Sequence, residues 1–376
     1  MGAPAPAPAR GALREIALLF LRLGATAFGG PAAHIAILED EVVRRRGWVT
    51  RERFLDLLGA TNLIPGPNST EMAIHLGYLR GGPAGLVLAG VCFIVPASVL
   101  SAALAWAYVR FGALPRVEGV LYGIKPAIIV VVVQAVVVLS RAALRTRWLT
   151  GIATASAAAV LLGVNELFVL ALAGAAACAS RVGRRGRAVL IALPAAAAAG
   201  SAAAPIGLWP LFLAFAKIGS VLFGSGYVLL AFLRADLVGQ FHWLSEAQLL
   251  DAVAVGQFTP GPVSSTATFI GYLLRGPAGA AAATLGMFAP AFVFVALSGP
   301  LVPRIRRSPA AGAFLDGVNA ASLALMAVVA AQLGRAAVVD RVTVAIAAVS
   351  AVAVLWLRLN SAWLVLAGGL VGALLR

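Results

Sequence analysis

The sequence predicts an all-α polytopic integral membrane protein made of two inverted-topology repeats, with broken or re-entrant helices and about 10–12 membrane segments. Of its 376 residues, 61% are hydrophobic and 11% are charged, whereas a soluble domain has about 45–50% apolar and about 25% charged residues. The net charge of +15 is therefore attributed first to loops that set orientation in a bilayer, and no nucleic-acid partner is expected. An internal repeat and its loop charges supply the rest of the prediction.

Residues 1–12 form an Ala- and Pro-rich tail that we expect to be disordered. Cys92 and Cys178 lie in apolar stretches without a second nearby cysteine, so neither a disulfide nor a metal site is expected, and no cofactor is implied.

Long apolar runs without strand-like alternation predict helices that cross a hydrocarbon core of about 30 Å. Continuous candidates are residues 83–109, 119–140, 188–204, 277–302 and 314–333. Two pairs of shorter runs predict tilted helical hairpins, at residues 149–162 with 167–179 and at 342–357 with 363–375.

Two further apolar segments are interrupted by helix-breaking residues. Residues 13–37 contain Phe28-Gly29-Gly30-Pro31, and residues 54–79 contain Pro65-Gly66-Pro67. Irregular backbone at membrane depth is tolerated where it is buried in protein or lines a wet cavity. Each segment is predicted to form two half-helices, and residues 13–37 either return to their starting side or cross completely.

The two halves of the chain repeat one pattern. A shift of 195 residues carries Trp48 to Trp243 and Pro65-Gly66-Pro67 to Pro260-Gly261-Pro262. After a one-residue slip, Gly77-Tyr78 falls on Gly271-Tyr272. We therefore predict a first repeat at residues 13–187, a linking transmembrane helix at 188–208 and a second repeat at 209–376.

Loop charges indicate that the repeats are inverted. Residues 42–53 carry five arginines, whereas the matching residues 237–248 carry neither Arg nor Lys. The next loop has the opposite bias, with three arginines at residues 304–307 of the second copy. Under the positive-inside rule, corresponding loops lie on opposite sides of the membrane, which is typical of secondary transporters.

The Pro-Gly-Pro breaks are the first candidate binding site. Half-helices that begin after them offer free backbone N–H groups and the positive end of the helix dipole, which suit an oxyanion. Hydroxyl and amide side chains in the first turns could cap the helices or bind the ligand, and the alternative is that these are turns with capping residues. The candidate residues are Pro65, Gly66, Pro67, Asn68, Ser69, Thr70, Pro260, Gly261, Pro262, Ser264 and Ser265.

A second pair of breaks lies earlier in each copy. Glycines there allow close backbone approach either to a ligand or to a neighbouring helix. The candidates are Gly29, Gly30, Gly224, Ser225 and Gly226.

Three basic residues within apolar segments are candidate anion ligands. Arg22 and Lys217 occupy matched positions, where each could attract a divalent anion or extend to the membrane surface. Lys125 has no basic counterpart, because Asn319 matches it.

Energy coupling requires a protonatable group. The candidates are Asp56, Glu71, Asp251 and His34, with His75 and Asp316 also available. Asp56 and Asp251 recur in both copies, but could instead pair with arginines or helix ends. Glu71 matches a threonine, Thr266, as expected if one half carries the coupling.

The duplicated Phe-Gly and Pro-Gly-Pro motifs, with Trp48 and Gly77-Tyr78, resemble the long-chain bidomain form of the chromate ion transporter family. The resemblance implies export of chromate from the bacterial cytoplasm across the inner membrane, with sulfate as a structural mimic. It also implies that the membrane potential or the proton gradient drives export. Ser225-Gly226 and Val263 depart from the first copy's Gly30-Pro31 and Asn68, which argues against assuming that the halves contribute equally.

These expectations meet in one model, in which a tetrahedral dianion sits where the repeats meet and rocking of the repeats gives alternating access. A carrier for sulfate or another oxyanion, or an anion channel, remains open. We expect no enzyme, because neither HExxH nor Gly-x-Ser-x-Gly occurs. The expected partners are the oxyanion, the lipid bilayer and a possible second copy in a homodimer.

Overall fold

The computed structural model describes residues 11–28, 30–112, 114–181, 206–223, 228–306, 308–356 and 361–375. These residues form helices and no strand, which confirms the all-α class. Two π-helical turns, Asp40–Arg45 and Arg234–Gln240, and a 3-10 turn, Val263–Ser265, accompany the helices. The α-helices are α1 Ala12–Thr26, α2 Gly30–Glu39, α3 Arg51–Thr61, α4 Asn68–Phe111, α5 Pro115–Ala143, α6 Arg147–Leu161, α7 Glu166–Arg181, α8 Leu208–Val221, α9 Leu229–Leu233, α10 Glu246–Phe258, α11 Thr266–Arg306, α12 Pro309–Ala337, α13 Arg341–Leu355 and α14 Ser361–Leu375.

Helix length and composition are those of a polytopic membrane protein. Four described helical stretches are long and apolar enough to cross a membrane: Asn68–Phe111, Val117–Ala143, Val263–Ser298 and Pro309–Ala337. Shorter apolar helices are Glu166–Ser180, Leu208–Val221, Arg341–Val354 and Trp363–Leu375. Large apolar side chains such as Val99, Trp209 and Leu374 are exposed, as expected of a surface that faces lipid.

The two longest helices share one kink. In α4 the backbone leaves helical geometry at Gly81 and Gly82, and in α11 at Arg275 and Gly276. Gly82 and Gly276 have the same dihedral angles, φ 61° and ψ −152°. These positions are 194 residues apart, so the later part of the sequence repeat is also a structural repeat.

The first segment of the chain returns to the end from which it starts. Glu15, in the first turn of α1, accepts hydrogen bonds from Arg46 (3.2 Å), Trp48 (3.1 Å) and Arg80 (2.9 Å). Arg46 follows α2 and its π-helical turn, Trp48 precedes α3, and Arg80 precedes the kink of α4. Both interrupted segments are therefore hairpins of half-helices, and residues 13–37 do not cross from one end to the other.

The chain divides into two compact units that do not coincide with the sequence copies. The first unit comprises Met1–Leu114, Ile206–Gly226 and Ala252–Gly299, and the second comprises Pro115–Pro205, Tyr227–Asp251 and Pro300–Arg376. Each unit combines segments of both copies. The repeat boundaries stay a prediction. Residues 1–10 of the tail expected at 1–12 lie outside the described residues, and α1 already begins at Ala12. Most of the linking helix, 188–205, also lies outside the described residues.

Small residues bring helices together within each unit. In the first unit, Gly24 of α1 packs against the Phe93 carbonyl of α4. In the second unit, Gly123 of α5 packs against Gly368 of α14, and Gly317 of α12 packs against the Ala173 carbonyl of α7. A side chain at these glycines would separate the backbones, as is common at helix crossings in membranes.

Candidate functional site

Matching backbone hydrogen bonds join the breaks of the two sequence copies within the first unit. The Gly261 N–H donates to the carbonyl of Ala27, directly after α1, at 2.8 Å. The Gly66 N–H donates to the carbonyl of Leu222, directly after α8, also at 2.8 Å. The shift of 195 residues converts one bond into the other. Each Pro-Gly-Pro break is thus tied to the end of the first helix of the opposite copy.

Both central glycines occupy conformations that favour glycine. Gly66 has φ 144° and Gly261 has φ 84°. A Cβ atom on Gly261 would lie 2.8 Å from the Gly24 carbonyl oxygen and from Ala97 Cβ, and one on Gly66 would overlap the Glu71 carboxyl group. The breaks therefore bring backbone from both copies into close contact.

The prediction that polar side chains cap the helix after the first break is wrong. Pro67 occupies the N-cap position and cannot supply a side-chain acceptor. The N–H groups of Thr70 and Glu71 donate to the Pro67 carbonyl at 2.8 and 3.0 Å. The Asn68 amide instead donates to Asn62 Oδ1 at 2.8 Å, and so joins the end of α3 to the start of α4.

The second break has a different first turn. A 3-10 turn precedes α11, and the Ser265 N–H donates to the Pro262 carbonyl at 2.9 Å. The Ser101 hydroxyl of α4 donates to Ser265 Oγ at 3.2 Å. Ser101 lies in an uninterrupted apolar run and gave no sequence signal. The hydroxyl-bearing residues of both breaks are buried: Ser69, Thr70, Ser264, Ser265 and Thr266.

Glu71 is the acidic residue at the first break. Its side chain is 0% exposed, and neither carboxyl oxygen has a hydrogen-bond partner among the described residues. One turn further along α4, His75 is 8% exposed, and its Nε2 lies 3.4 Å from Ser298 Oγ. Glu71 lies between the two registers, because the 195-residue shift of the Pro-Gly-Pro breaks pairs it with Thr266 and the 194-residue shift of the kinks pairs it with Ser265.

The family comparison accounts for both copies of the broken helices. The model of a family described as "Chromate transporter" matches residues 14–179 and again residues 209–373. The chain belongs to the chromate transporter family. The predicted family resemblance is therefore confirmed, and the family unit occurs twice in this chain.

Relatives within the chromate transporter family align with most of the chain. A "Chromate transport protein" of Cupriavidus metallidurans is 34% identical over 369 residues, covering 95% of this chain and 91% of the relative. A "Probable chromate transport protein" of Synechococcus elongatus is 31% identical, covering 87% of this chain and 86% of the relative. A "Chromate transport protein" of Pseudomonas aeruginosa is 33% identical, covering 82% and 77%. No solved structure matches the chain significantly.

The matched basic residues of this chromate transporter family member lie on α1 and α8. Arg22 is half exposed, and its Nη2 lies 2.6 Å from Glu41 Oε1. Lys217 is partly buried. The ion pair gives Arg22 a carboxylate partner on the π-helical turn after α2. The anion-ligand roles of Arg22 and Lys217 stay predictions.

Lys125 and Asp251 form an ion pair within the second unit. Lys125 Nζ of α5 lies 3.0 Å from Asp251 Oδ1 of α10, and the side chains are 21% and 5% exposed. From the sequence, Lys125 was predicted to bind the anion and Asp251 was predicted to couple transport to protons. Because Asn319 replaces Lys125 in the second copy, the same ion pair cannot form at the repeated position.

The remaining candidate residues lie in different surroundings, and some lie outside the described residues. His34 is buried, and its Nε2 donates to the Ala27 carbonyl at 3.1 Å, so it supports the same turn as Gly261. Asp56 is exposed on α3. Gly30 begins α2 with φ 76°. Four glycine-break candidates lie outside the described residues: Gly29, Gly224, Ser225 and Gly226.

Proposed function

We propose that this protein is a secondary active transporter that exports chromate across the bacterial inner membrane by alternating access and thereby confers chromate resistance. The observation that carries the proposal is the reciprocal pair of helix breaks, joined by the Gly66–Leu222 and Gly261–Ala27 hydrogen bonds. The names of the relatives support chromate as the cargo.

The breaks supply the groups that a tetrahedral oxyanion needs. The first N–H groups of a helix have no partner within it, and they carry the positive end of its dipole. Two such ends, after Pro67 and after Pro262, occur in the same compact unit. The buried hydroxyl of Ser69 and that of Ser264 add donors, and the low local dielectric strengthens hydrogen bonds to the anion.

The reciprocal hydrogen bonds also constrain how access alternates. Rocking of one sequence copy against the other would separate Gly66 from Leu222 and Gly261 from Ala27. Breaking buried backbone hydrogen bonds is costly. We therefore propose that the broken helices of the first unit keep these bonds while access changes around them.

The same geometry would suit a carrier for sulfate or another oxyanion, or an anion channel. Backbone N–H and hydroxyl donors recognise charge and the arrangement of oxygens, which chromate and sulfate share. Concentrative transport separates a carrier from a channel, because a channel conducts only down the electrochemical gradient of the anion.

Uptake of labelled chromate into energised inverted membrane vesicles tests the proposal. Export from the cell becomes uptake in this orientation, so vesicles containing the protein should accumulate chromate above its equilibrium distribution. Competing sulfate should reduce this uptake. Vesicles lacking the protein are the control, and uptake no greater than theirs would contradict the proposal.

A further inference from the structure

The Glu71 carboxyl group is buried without a partner at the first Pro-Gly-Pro break. Its side chain is 0% exposed and lies against Gly66, and among the described residues neither oxygen accepts a hydrogen bond. Burying an unpaired carboxylate costs far more free energy than burying a neutral carboxylic acid. The conformation described therefore holds Glu71 as the neutral acid.

No charged group on the helices that pack against α4 neutralises Glu71 in the described part of the chain. On α1, Glu15 binds Arg46 and Arg80, and Arg22 binds Glu41. On α2, Glu39 binds Arg51, and His34 donates to the Ala27 carbonyl. The remaining charged residues of α1 and α3 are exposed: Arg14, Glu52, Arg53 and Asp56.

The second copy shows which chemistry this position requires. Ser265 and Thr266, which the two registers pair with Glu71, are both buried and both carry a hydroxyl group. A serine hydroxyl is a neutral donor, and a protonated carboxyl group likewise offers one O–H donor. When Glu71 carries its proton, both breaks present a neutral O–H group. When Glu71 is ionised, a negative charge lies beside the amides proposed to hold a dianion.

We propose that Glu71 and the oxyanion are coupled positively, so that the conformation with neutral Glu71 binds the oxyanion and the proton is released in the conformation from which the oxyanion leaves. This inference rests on the proposed function. A proton and a chromate dianion that travel together carry one net negative charge outward. Export is then driven by a membrane potential that is negative inside, and an acidic exterior opposes it.

His75 gives the buried proton a route. Residues four apart on a helix are neighbours, and His75 is 8% exposed, whereas Glu71 is 0% exposed. No hydrogen bond joins Glu71 to His75 in the described conformation, so the transfer requires a side-chain rotation that brings them together. The O–H bond of Glu71 then breaks as an N–H bond forms on one ring nitrogen of His75, and the imidazolium loses this proton to water. Ser298 Oγ, 3.4 Å from His75 Nε2, positions the ring.

Chromate binding to the purified protein across a range of pH tests the coupling. The proteins compared are the wild type, Glu71→Gln, whose amide is a permanent neutral donor, and Glu52→Gln, which removes an exposed carboxylate. Above the titration of Glu71, the wild-type Kd should rise about tenfold per pH unit relative to that of Glu71→Gln, because one proton is linked to binding. Taking this ratio at each pH cancels the titration of chromate itself. Glu52→Gln should follow the wild type.

A Glu71→Gln variant that binds chromate with the wild-type pH profile would overturn the coupling while leaving the proposed function intact. Failure of the wild type to bind chromate at any pH would count against the proposed function. Infrared spectroscopy decides the protonation of Glu71 independently of chromate. The wild type should show a carboxylic acid carbonyl band that Glu71→Gln lacks, and an unchanged spectrum would refute a neutral Glu71.

Discussion

Replacing Gly261 with alanine tests the close approach of the two broken segments. The φ angle of 84° costs a residue with a Cβ about 1–2 kcal/mol. The new Cβ would also lie 2.8 Å from the Gly24 carbonyl oxygen and from Ala97 Cβ, and such overpacking costs about 1–3 kcal/mol. Gly24 cannot retreat, because it packs against the Phe93 carbonyl. The combined destabilisation is about 2–5 kcal/mol.

Gly163→Ala is the matched control for this substitution. Gly163 has φ 83°, and a Cβ there would meet no atom within 4 Å, so only the conformational cost of about 1–2 kcal/mol applies. Thermal unfolding of the solubilised protein and chromate efflux from cells are the assays. Gly261→Ala should unfold at a lower temperature than Gly163→Ala and should lose efflux, whereas Gly163→Ala should retain efflux. Equal effects of the two substitutions would refute the close approach.

Three further predictions concern charged residues. Arg22→Ala or Lys217→Ala should lower chromate transport without preventing membrane insertion, and normal chromate resistance in both variants would discard the basic-residue role. Lys125→Ala should destabilise the protein by about 1–3 kcal/mol, less than the about 3–5 kcal/mol for a fully buried pair, because Lys125 is 21% exposed. Removing Asp251 as well should recover part of this loss, and additive losses in a double-mutant cycle would contradict the pairing. Glu15→Gln weakens a carboxylate shared by three donors and should lower stability by about 1 kcal/mol, whereas an unchanged unfolding temperature would show that the cluster is dispensable.

The sequence predicted the broken helices because their signals are local. Pro-Gly-Pro and neighbouring glycines break a helix whatever the surrounding tertiary contacts are. Their recurrence at a nearly constant spacing identified the duplication. The spacing of the two copies changes from 195 to 194 residues between Pro67 and Gly77. The kinks at Gly82 and Gly276 fix it at 194 residues within α4 and α11.

Contacts between distant segments could not be predicted in the same way. No pattern in the sequence pairs Gly66 with Leu222, Ser101 with Ser265 or Lys125 with Asp251, because each contact depends on how remote helices pack. Capping was mispredicted for a local reason. The residue types suited an N-cap, but Pro67 took that position and Asn68 turned towards Asn62.

The anomalous X-ray signal of chromium in crystals grown with chromate tests most directly where the oxyanion binds. We expect a chromium peak at a position where the oxygens of chromate accept hydrogen bonds from the first helical amides after Pro67 or Pro262, and we expect Gly261→Ala to weaken this peak. A peak confined to the Lys125 region, with none at either break, would contradict it.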